Sequence, residues 1–508
     1  MANKDNTSIR GMIEILREQG ELLEIDGEVD PIYEISGIQK ALENGPAILF
    51  NKIKGYPHAR NIGNIFSRKE RAPKIFGLKD PRELRLRCRE AMRKPIPPRV
   101  VESAPCQEVV ITKDIDVMSV VPVTKYTERD GARIIGGNNT FLCGDWHGGG
   151  THLSFNRLNF RWPDKCSLAI GAGSHLETAA HLLHRGDKIP VTLNLCNVPA
   201  GLMVAAAGFI HPLVPVGADE VGYAGGIQGK PVDIVKAKTQ DTYSIANAEW
   251  VLEGYIDTKQ KAWESEDAEK LGKEGIAPVF PEWTGYLGRA YRLLLFQCTA
   301  ITHQKDRPIF FTPQANSFEG DMMGSAFREA CFWELADRIR PGLVTDVNII
   351  EGVAGWGGNI IYQVQKRRRA DEGYQRQILA SAQASAIGLR FAVIVDEDVD
   401  IYSAEDVMWA LATRVNPKQD LIIGAGGGMG QVLMPMERVQ AAMEAKSEYR
   451  FEGGMAFDAT VPIDAKWNFE RSKHPVDRVD LKKWLSEAQI HGIKAKQSDY
   501  ARIMAKKG

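Results

Sequence analysis

The spacing of apolar residues changes twice along this chain, and that change constrains the fold more than any other feature. Helical and strand-like patterns alternate up to the proline-rich run 94–100 and alternate again after Phe311. Between Val109 and Phe311 the apolar runs are short, β-branched and separated by Gly, Pro or Asp. Alternation is typical of α/β layers, whereas closely spaced short strands are typical of a barrel or a sandwich. We therefore predict a mixed α/β (α+β) protein whose middle is a β-rich barrel or sandwich with inserted helices.

A chain of 508 residues exceeds what a single hydrophobic core serves, so two or three domains are expected. We place an N-terminal α/β domain at 1–108, a β-rich domain at 109–320 and a C-terminal α/β oligomerisation domain at 321–508. The Lys-rich tail after Pro475 has helical apolar spacing and is expected to reach a neighbouring subunit. The predicted helices span 6–20, 33–45, 325–339, 372–388 and 403–414, and the predicted strands span 21–25, 47–53, 343–350, 359–365, 391–397 and 420–425.

The charge balance and the cysteines narrow the class of protein. With 64 Lys and Arg against 65 Asp and Glu, the formal charge is −1, which argues against nucleic acid or an anionic membrane as the main partner. The polar N-terminus lacks the apolar stretch of a secretory signal, and the most apolar run, 201–210, is about half the length that spans a bilayer. The cysteines are scattered without CxxC pairs, which favours reduced, buried thiols in a cytoplasmic protein. They are Cys88, Cys106, Cys143, Cys166, Cys196, Cys298 and Cys331.

An anion site is predicted where a helix begins. Ser174 is followed three residues later by Glu177, which is the spacing of a capping box, and helix-forming Ala and Leu residues come next. This places His175 at the first helical position. Unpaired backbone N–H groups and the positive end of the helix dipole collect there, so a phosphate is favoured.

Two imidazoles and a carboxylate in separated segments indicate a metal site beside that anion. His152, His175 and Glu220 would hold a divalent ion that bridges the protein to a phosphate. This ligand set suits Mn²⁺ or Fe²⁺, because it is borderline rather than all-oxygen. The alternative explanation is that each histidine is a hydrogen-bonded core residue, and the spacing alone does not decide between the two.

Three other motifs have ordinary explanations. The glycine run 424–430 follows a predicted strand, but Met429 occupies the third position of the dinucleotide fingerprint. His181 and His184 lie three apart on one helix without a carboxylate to complete a metal site, so we expect them to face solvent. The charge run that begins at Lys366 is typical of a solvated turn, with contact between Lys366 and a phosphate as the alternative.

The run 218–257 resembles a signature stretch of the UbiD family, the decarboxylases that use prenylated FMN. The segments 114–123, 397–417 and 455–467 agree with the same family. The resemblance extends over most of the chain. It implies that the β-rich middle is a split-barrel-like, flavin-binding domain.

The resemblance also implies an activity, cofactors and partners. The activity is the non-oxidative, reversible decarboxylation of an aromatic or α,β-unsaturated acid, with an aromatic acyl-CoA as a further substrate class. The cofactors are prenylated FMN, a divalent metal and K⁺ beside Glu220. The expected partners are the small-molecule acid, a flavin prenyltransferase that supplies the cofactor, and further copies of the chain in a dimer or hexamer.

The family's catalytic residues carry over onto particular positions. Arg157 matches the arginine that orients the substrate carboxylate and contacts the cofactor, and Glu282 matches the proton donor. Ser174, His175 and Lys366 would contact the cofactor. The resemblance further implies that the metal ligands are the two histidines and the glutamate named above.

The chain departs from the family near Glu282. The family reads Glu-Gly-Pro-Phe-Gly-Glu in this region, and Ala277 stands where the first glutamate belongs. The family's Arg-Glu-Glu network therefore lacks one carboxylate here, and Glu274 is a substitute only if the loop shifts. We expect burial beside Trp283 and Tyr286 to keep Glu282 protonated.

Two other classes of protein remain open at this point. A non-haem iron oxygenase would use the same His/His/Glu set with open metal positions that face the substrate. A second departure from the family is His152, since the family usually has asparagine there, and this histidine shifts the preferred metal of the site towards iron without deciding between the classes. The second alternative is a flavin-binding paralogue without catalytic activity. It is suggested by Ala277, which replaces a glutamate of the family's network.

Overall fold

The computed structural model describes residues 5–136, 139–143, 150–171, 173–183, 187–208, 210, 212–352, 358–386, 389–424, 454–472, 474–498 and 501. His184 and nearly all of the glycine run 424–430 lie outside these ranges.

The α-helices of the described residues are α1 (Ile9–Glu18), α2 (Glu34–Ala41), α3 (Arg71–Ile75), α4 (Pro81–Arg93), α5 (Val117–Val120), α6 (His175–Thr178), α7 (Pro199–Ala205), α8 (Glu220–Gln228), α9 (Glu266–Leu271), α10 (Phe318–Met322), α11 (Ser325–Ile339), α12 (Tyr374–Ser385), α13 (Ala404–Arg414) and α14 (Glu487–Lys496). The strands are β1 (Leu22–Val29), β2 (Ala47–Ile53), β3 (Arg60–Gly63), β4 (Arg99–Val101), β5 (Val109–Ile111), β6 (Arg133–Ile135), β7 (Asn139–Cys143), β8 (Thr151–Phe155), β9 (Arg157–Phe160), β10 (Lys165–Ala169), β11 (Lys188–Leu195), β12 (Asp233–Lys236), β13 (Tyr243–Ile245), β14 (Trp250–Trp263), β15 (Pro278–Pro281), β16 (Leu287–Arg289), β17 (Arg292–His303), β18 (Ile309–Phe311), β19 (Val344–Asn348), β20 (Asn359–Val364), β21 (Phe391–Asp396), β22 (Leu421–Ile423) and β23 (Met455–Ala459).

The N-terminal part is the α/β layer that the sequence predicts. Its sheet has the order β1-β2-β3-β18, so a strand from far along the chain completes it. Helix α1 begins after Ser8, whose side chain accepts the N–H of Gly11. The apolar residues of α1 recur at helical spacing and are buried, which packs one face of the helix into the core.

The central sheet has nine strands. Eight of them follow the order β6-β9-β10-β17-β14-β11-β7-β8, β5 pairs with β17, and all of the pairs are antiparallel. Its two long strands, β14 and β17, run side by side at the centre of the order. Trp250, at the start of β14, is fully buried in the apolar core beneath this sheet.

The chain path forces this sheet to curl. β8 and β9 lie at or near opposite ends of the strand order, yet Asn156 alone separates them in sequence. Consecutive Cα atoms are about 3.8 Å apart and neighbouring strands about 4.8 Å apart, so one residue cannot cross a flat sheet of this width. The two ends of the sheet therefore meet, as expected for a split-barrel-like domain. His152 and Arg157 lie at this seam.

The C-terminal part returns to α/β layering. The sheet order is β19-β20-β21-β23-β22, with parallel pairing among the three middle strands and antiparallel pairing at both edges. The buried apolar residues of α11 and α12 belong to the large core cluster, and those of α13 belong to a separate cluster on the same sheet. The helix predicted at 325–339 coincides with α11, and the strand predicted at 47–53 coincides with β2.

The tail after Pro475 forms short 3-10 turns and α14, none of whose described residues is buried. Its predicted contact with a neighbouring subunit stays a prediction. Across the described residues, no helix combines the length and the apolarity needed to cross a membrane.

The described cysteines are free and buried, as predicted. Burial raises the pKa of each of these six thiols. The side chain of Cys143 lies outside the described part of the structure.

Candidate active site

The structure brings His152, His175 and Glu220 together. His152 lies on β8, whereas His175 and Glu220 are the first residues of α6 and α8. The Nδ1 atom of each histidine is 3.1 Å from a carboxylate oxygen of Glu220. All three side chains are buried, and one ligand atom from each lies within 4.8 Å of the others. This is the only such cluster of potential metal ligands found among the described residues.

Local hydrogen bonds explain why these elements meet. Asp219 caps α8, and its carboxylate accepts the hydroxyl of Thr151 on β8 at 2.6 Å. The N–H of Leu153 donates to Glu220 Oε2 at 2.7 Å, which fixes the carboxylate against the same strand. The start of α8 is therefore held to β8, and the Glu220 carboxylate faces the His152 ring.

The electrostatics keep this carboxylate ionised. Burial alone would raise the pKa of Glu220, but the imidazoles of His152 and His175 hold the pKa well below its usual range. An ionised, buried carboxylate between two imidazoles is a donor set that fits a divalent cation.

Helix α6 begins as predicted but is short. The hydroxyl of Ser174 accepts the N–H of Glu177 at 3.1 Å, which places His175 at the first helical position. After Thr178 the chain passes into a π-helical turn over Ala179–Leu183 rather than continuing as an α-helix to Gly186. His181 on this turn is exposed, as expected.

A cavity adjoins the metal-ligand cluster. Ser154, Ser174 and the three candidate ligands supply its polar groups. The rest of its wall is largely apolar, and its lining includes Val204, Ala205, Ala207, Ile210, Val214, Phe327 and Cys331. A mostly apolar cavity with a few convergent polar groups is typical of a small-molecule site.

Arg157, the first residue of β9, donates hydrogen bonds to two buried carboxylates. Its Nη1 donates to Glu282 Oε1 at 2.7 Å, and its Nε and Nη2 donate to Glu264 Oε1 at 3.1 and 2.6 Å. The Phe280 ring centroid lies 5.4 Å from the guanidinium carbon. Burial disfavours the charged arginine, but Glu264 and Glu282 together raise its pKa above the ordinary value.

The prediction that one carboxylate is missing from this network is wrong, because Glu264 supplies it. Glu264 directly follows β14 and is fully buried. Besides the two bonds from Arg157, its oxygens accept Asn159 Nδ2 and the N–H of Tyr291, both at 2.9 Å.

Ala277 and Glu274 have other roles in the structure. Ala277 lies in a small apolar cluster. The Glu274 side chain is exposed and accepts the N–H of Arg292 at 3.1 Å, so no loop shift is needed. The polar segment 264–275 contains α9, and Glu264, two residues before that helix, is fully buried.

The residues around Glu282 differ from those that the sequence predicts. Glu282 is buried, with 8% of its surface exposed, but Tyr286 is 58% exposed and does not cover it. The backbone of Gly288 lies against the carboxylate instead, since a Cβ built there would be 2.6 Å from Glu282 Oε1. Trp283 is half-buried.

Lys366 is buried rather than part of a solvated turn. Its ammonium donates to the carbonyl of Val461 at 2.6 Å and to the hydroxyl of Thr460 at 3.0 Å, and it lies 3.2 Å from Glu372. These contacts tie the end of β20 to the segment after β23. They give Lys366 a structural role, and its contact with a cofactor stays a prediction.

Family models match three successive parts of the chain. They are described as the N-terminal, Rift-related and C-terminal domains of 3-octaprenyl-4-hydroxybenzoate carboxy-lyase, and they match residues 13–88, 99–315 and 321–459.

Two characterised decarboxylases are similar to this protein over nearly the whole chain. The gallate decarboxylase of Lactiplantibacillus plantarum is 32% identical over 473 residues, which cover 89% of this chain and 93% of that protein. The anhydromevalonate phosphate decarboxylase of Methanosarcina mazei is 26% identical and covers 92% of this chain and 99% of its own.

Solved structures agree with these relatives. The apo 3,4-dihydroxybenzoic acid decarboxylase of Klebsiella pneumoniae superposes with a TM-score of 0.80 at 28% identity, covering 94% of this chain and 99% of its own. The UbiD-class enzyme HmfF of Pelotomaculum thermopropionicum, in complex with prFMN, gives 0.78 at 25% identity and covers 94% and 100%.

The fold, the matched domains and the relatives together define a carboxy-lyase. The chain belongs to the UbiD family.

Proposed function

We propose that this enzyme catalyses the non-oxidative, reversible decarboxylation of an aromatic or α,β-unsaturated carboxylic acid with prenylated FMN (prFMN) and a divalent metal. The observation that carries the proposal is Arg157 held between the buried carboxylates of Glu264 and Glu282. Such a group can orient an acid and deliver a proton within a water-poor site. The relatives that act on gallate and 3,4-dihydroxybenzoic acid support an aromatic substrate.

The residues present fit the cofactor and its metal. His152, His175 and Glu220 would hold a divalent ion, with Mn²⁺ or Fe²⁺ favoured by the borderline donors. The Ser174 hydroxyl and the start of α6 would contact the cofactor phosphate, which the ion neutralises. A monovalent K⁺ beside Glu220 completes the proposed set. When bound, prFMN supplies an electrophilic centre that accepts the electron pair released with CO₂.

The protein's own groups then divide the remaining work. Both oxygens of Glu264 accept hydrogen bonds from N–H groups, four bonds in all, so this side chain is fixed in place. Glu282, which accepts a hydrogen bond from Arg157, is the group that transfers a proton to the carbon that loses CO₂. Glu264 fixes one edge of the Arg157 guanidinium. Arg157 in turn positions the substrate acid next to Glu282.

The two alternative classes lose support. The silent-paralogue hypothesis depended on Ala277, and Glu264 supplies the carboxylate that Ala277 lacks. An iron oxygenase would need no arginine with two buried carboxylates, and the relatives are carboxy-lyases. We further infer that a flavin prenyltransferase supplies the cofactor and that the enzyme is a cytoplasmic homo-oligomer.

The metal assignment has a direct test. In enzyme co-expressed with a flavin prenyltransferase, His175→Ala is expected to lose both the divalent ion and the bound flavin, because the ion held by His175 would neutralise the phosphate of the flavin. Metal analysis and flavin absorbance measure the two losses. His181→Ala is the matched control, since His181 is exposed and six residues away on the turn that follows α6, and it should retain both. Full metal occupancy in the His175 variant would rule the assignment out.

Gly288 offers a test of how Glu282 is positioned. Gly288→Ala should lower turnover by about tenfold or more, because the added methyl group would lie 2.6 Å from Glu282 Oε1 and displace the carboxylate. Flavin and metal content should not change. Gly27→Ala is the control, since a Cβ there meets no atom within 4 Å. Unaltered turnover in the Gly288 variant would mean that the position of Glu282 is not critical.

A further inference from the structure

Arg328, on α11, is a buried cation without a buried counter-ion among the described residues. Its side chain is 3% exposed. Nη1 donates to the carbonyl of Ala207 at 2.9 Å, whereas Nε and Nη2 make no hydrogen bond. The ring of Phe332 has its centroid 5.9 Å from the guanidinium carbon.

Other buried arginines of this protein are paired. Arg71 lies against Glu21, Arg85 against Glu329 and Arg89 against Glu334. For Arg328, burial lowers the pKa to about 10, and no carboxylate opposes this effect. An uncompensated buried charge is destabilising, so a role other than packing is needed to explain an arginine here.

The position of Arg328 points to the cavity beside the metal-ligand cluster. Phe327 and Cys331, on the same helix, line that cavity, and so does Ala207, whose carbonyl holds Nη1. The guanidinium is therefore held next to residues of the cavity wall, directly behind the lining. Apart from Ser154, Ser174 and the metal-ligand cluster, the lining of this cavity is apolar.

The two nitrogens without partners are the ones that form a side-on edge. Nε and Nη2 lie on one edge of the guanidinium, and the same edge of Arg157 donates both of its hydrogen bonds to Glu264 Oε1. That edge matches a carboxylate, a phosphate or an ionised ring hydroxyl. The cofactor phosphate already has the metal-ligand cluster and the start of α6, so the edge is left for the substrate.

We propose that Arg328 binds a second anionic oxygen group of the substrate, one that is not the carboxylate lost in the reaction. The inference rests on the proposed function and narrows it to acids with two oxygen-bearing ends. The apolar lining of the cavity would contact the ring or chain between those ends.

The test compares three acids that share a benzoate ring and differ only at position 4: benzoate, 4-hydroxybenzoate and terephthalate. Calorimetry on the holoenzyme should give at least one of the two substituted acids a Kd about tenfold or more below that of benzoate, as expected for a charge-assisted bond. In Arg328→Met the three Kd values should agree within about threefold. Arg328→Lys should retain part of the preference, since it keeps the charge without the side-on edge.

Three further measurements separate ligand binding from a structural role. Flavin and metal content should be unchanged in Arg328→Met, and the Tm should rise, because an unpaired buried charge is replaced by an apolar side chain of similar length. Arg338→Met, on the exposed part of the same helix, should leave all three Kd values unaltered.

The proposal is overturned by a wild-type enzyme that does not distinguish the three acids or by a preference that survives in Arg328→Met. Loss of flavin in that variant would assign Arg328 to the cofactor phosphate instead. Failure of the proposed function is separate. If no acid is decarboxylated but the Arg328-dependent preference holds, the reaction is wrong and the binding site stands.

Discussion

Glu282→Gln is expected to lower decarboxylation by about 10²–10⁴-fold while flavin and metal remain bound, because glutamine cannot deliver a proton. Exchange of the product hydrogen with deuterated water should fall with it, since both processes move a proton at the same carbon. Turnover assays and mass spectrometry of the product in D₂O measure the two effects. The Arg157 bond is compatible with an amide oxygen in place of Glu282 Oε1, so the fold should be maintained.

Glu274→Gln is the matched control for this experiment. Glu274 lies eight positions before Glu282 but is exposed, so its variant should keep both turnover and exchange. Product exchange that persists in the Glu282 variant would assign the proton to another group, and Glu264 would then be the first to examine.

Removal of Glu264 should have the largest effect on stability. In Glu264→Ala four N–H donors lose their acceptor inside the protein, and Arg157 keeps only Glu282. Breaking a buried ion pair from one side costs about 3–5 kcal/mol of the free energy of unfolding. Denaturant unfolding should show this loss, and turnover should fall strongly as the guanidinium loses its fixed edge.

Glu264→Gln separates position from charge. An amide oxygen can replace Oε1 and keep three of the four hydrogen bonds, so the folded structure should persist. Turnover should nevertheless fall, because one of the two negative charges that hold Arg157 is removed. Wild-type turnover in this variant would reduce Glu264 to a packing role.

A double variant tests whether Glu264 replaces the glutamate that the family has at position 277. Glu264→Ala combined with Ala277→Glu restores the composition of the family's Arg-Glu-Glu network from a different strand. We expect part of the lost turnover to return if what matters is a second carboxylate on Arg157. If turnover does not return, the position of Glu264 at the end of β14 is itself required.

Local patterns in the sequence determined the secondary structure and the ends of several helices. The apolar spacing of 325–339 is that of α11, and the Ser174 hydroxyl caps α6 through Glu177 as its spacing predicts. Capping and periodicity involve residues within a few positions of one another, so they are legible in a single sequence. The residue types alone indicated the two histidines and the carboxylate as a metal site, and the resemblance to the UbiD family supported that choice over a structural role.

Contacts between distant segments were decided by the tertiary structure alone. Glu264 is 107 positions from Arg157, and Arg328 is 121 positions from the carbonyl that holds it. The local spacing of residues predicts neither of these contacts. Glu264 also belongs to a polar segment, and such a segment favours an exposed loop. The exposure of Tyr286 and the buried bonds of Lys366 have the same origin. Burial and pairing depend on which strands meet at the seam of the curled sheet and on how the domains pack, and periodicity along one segment does not encode either.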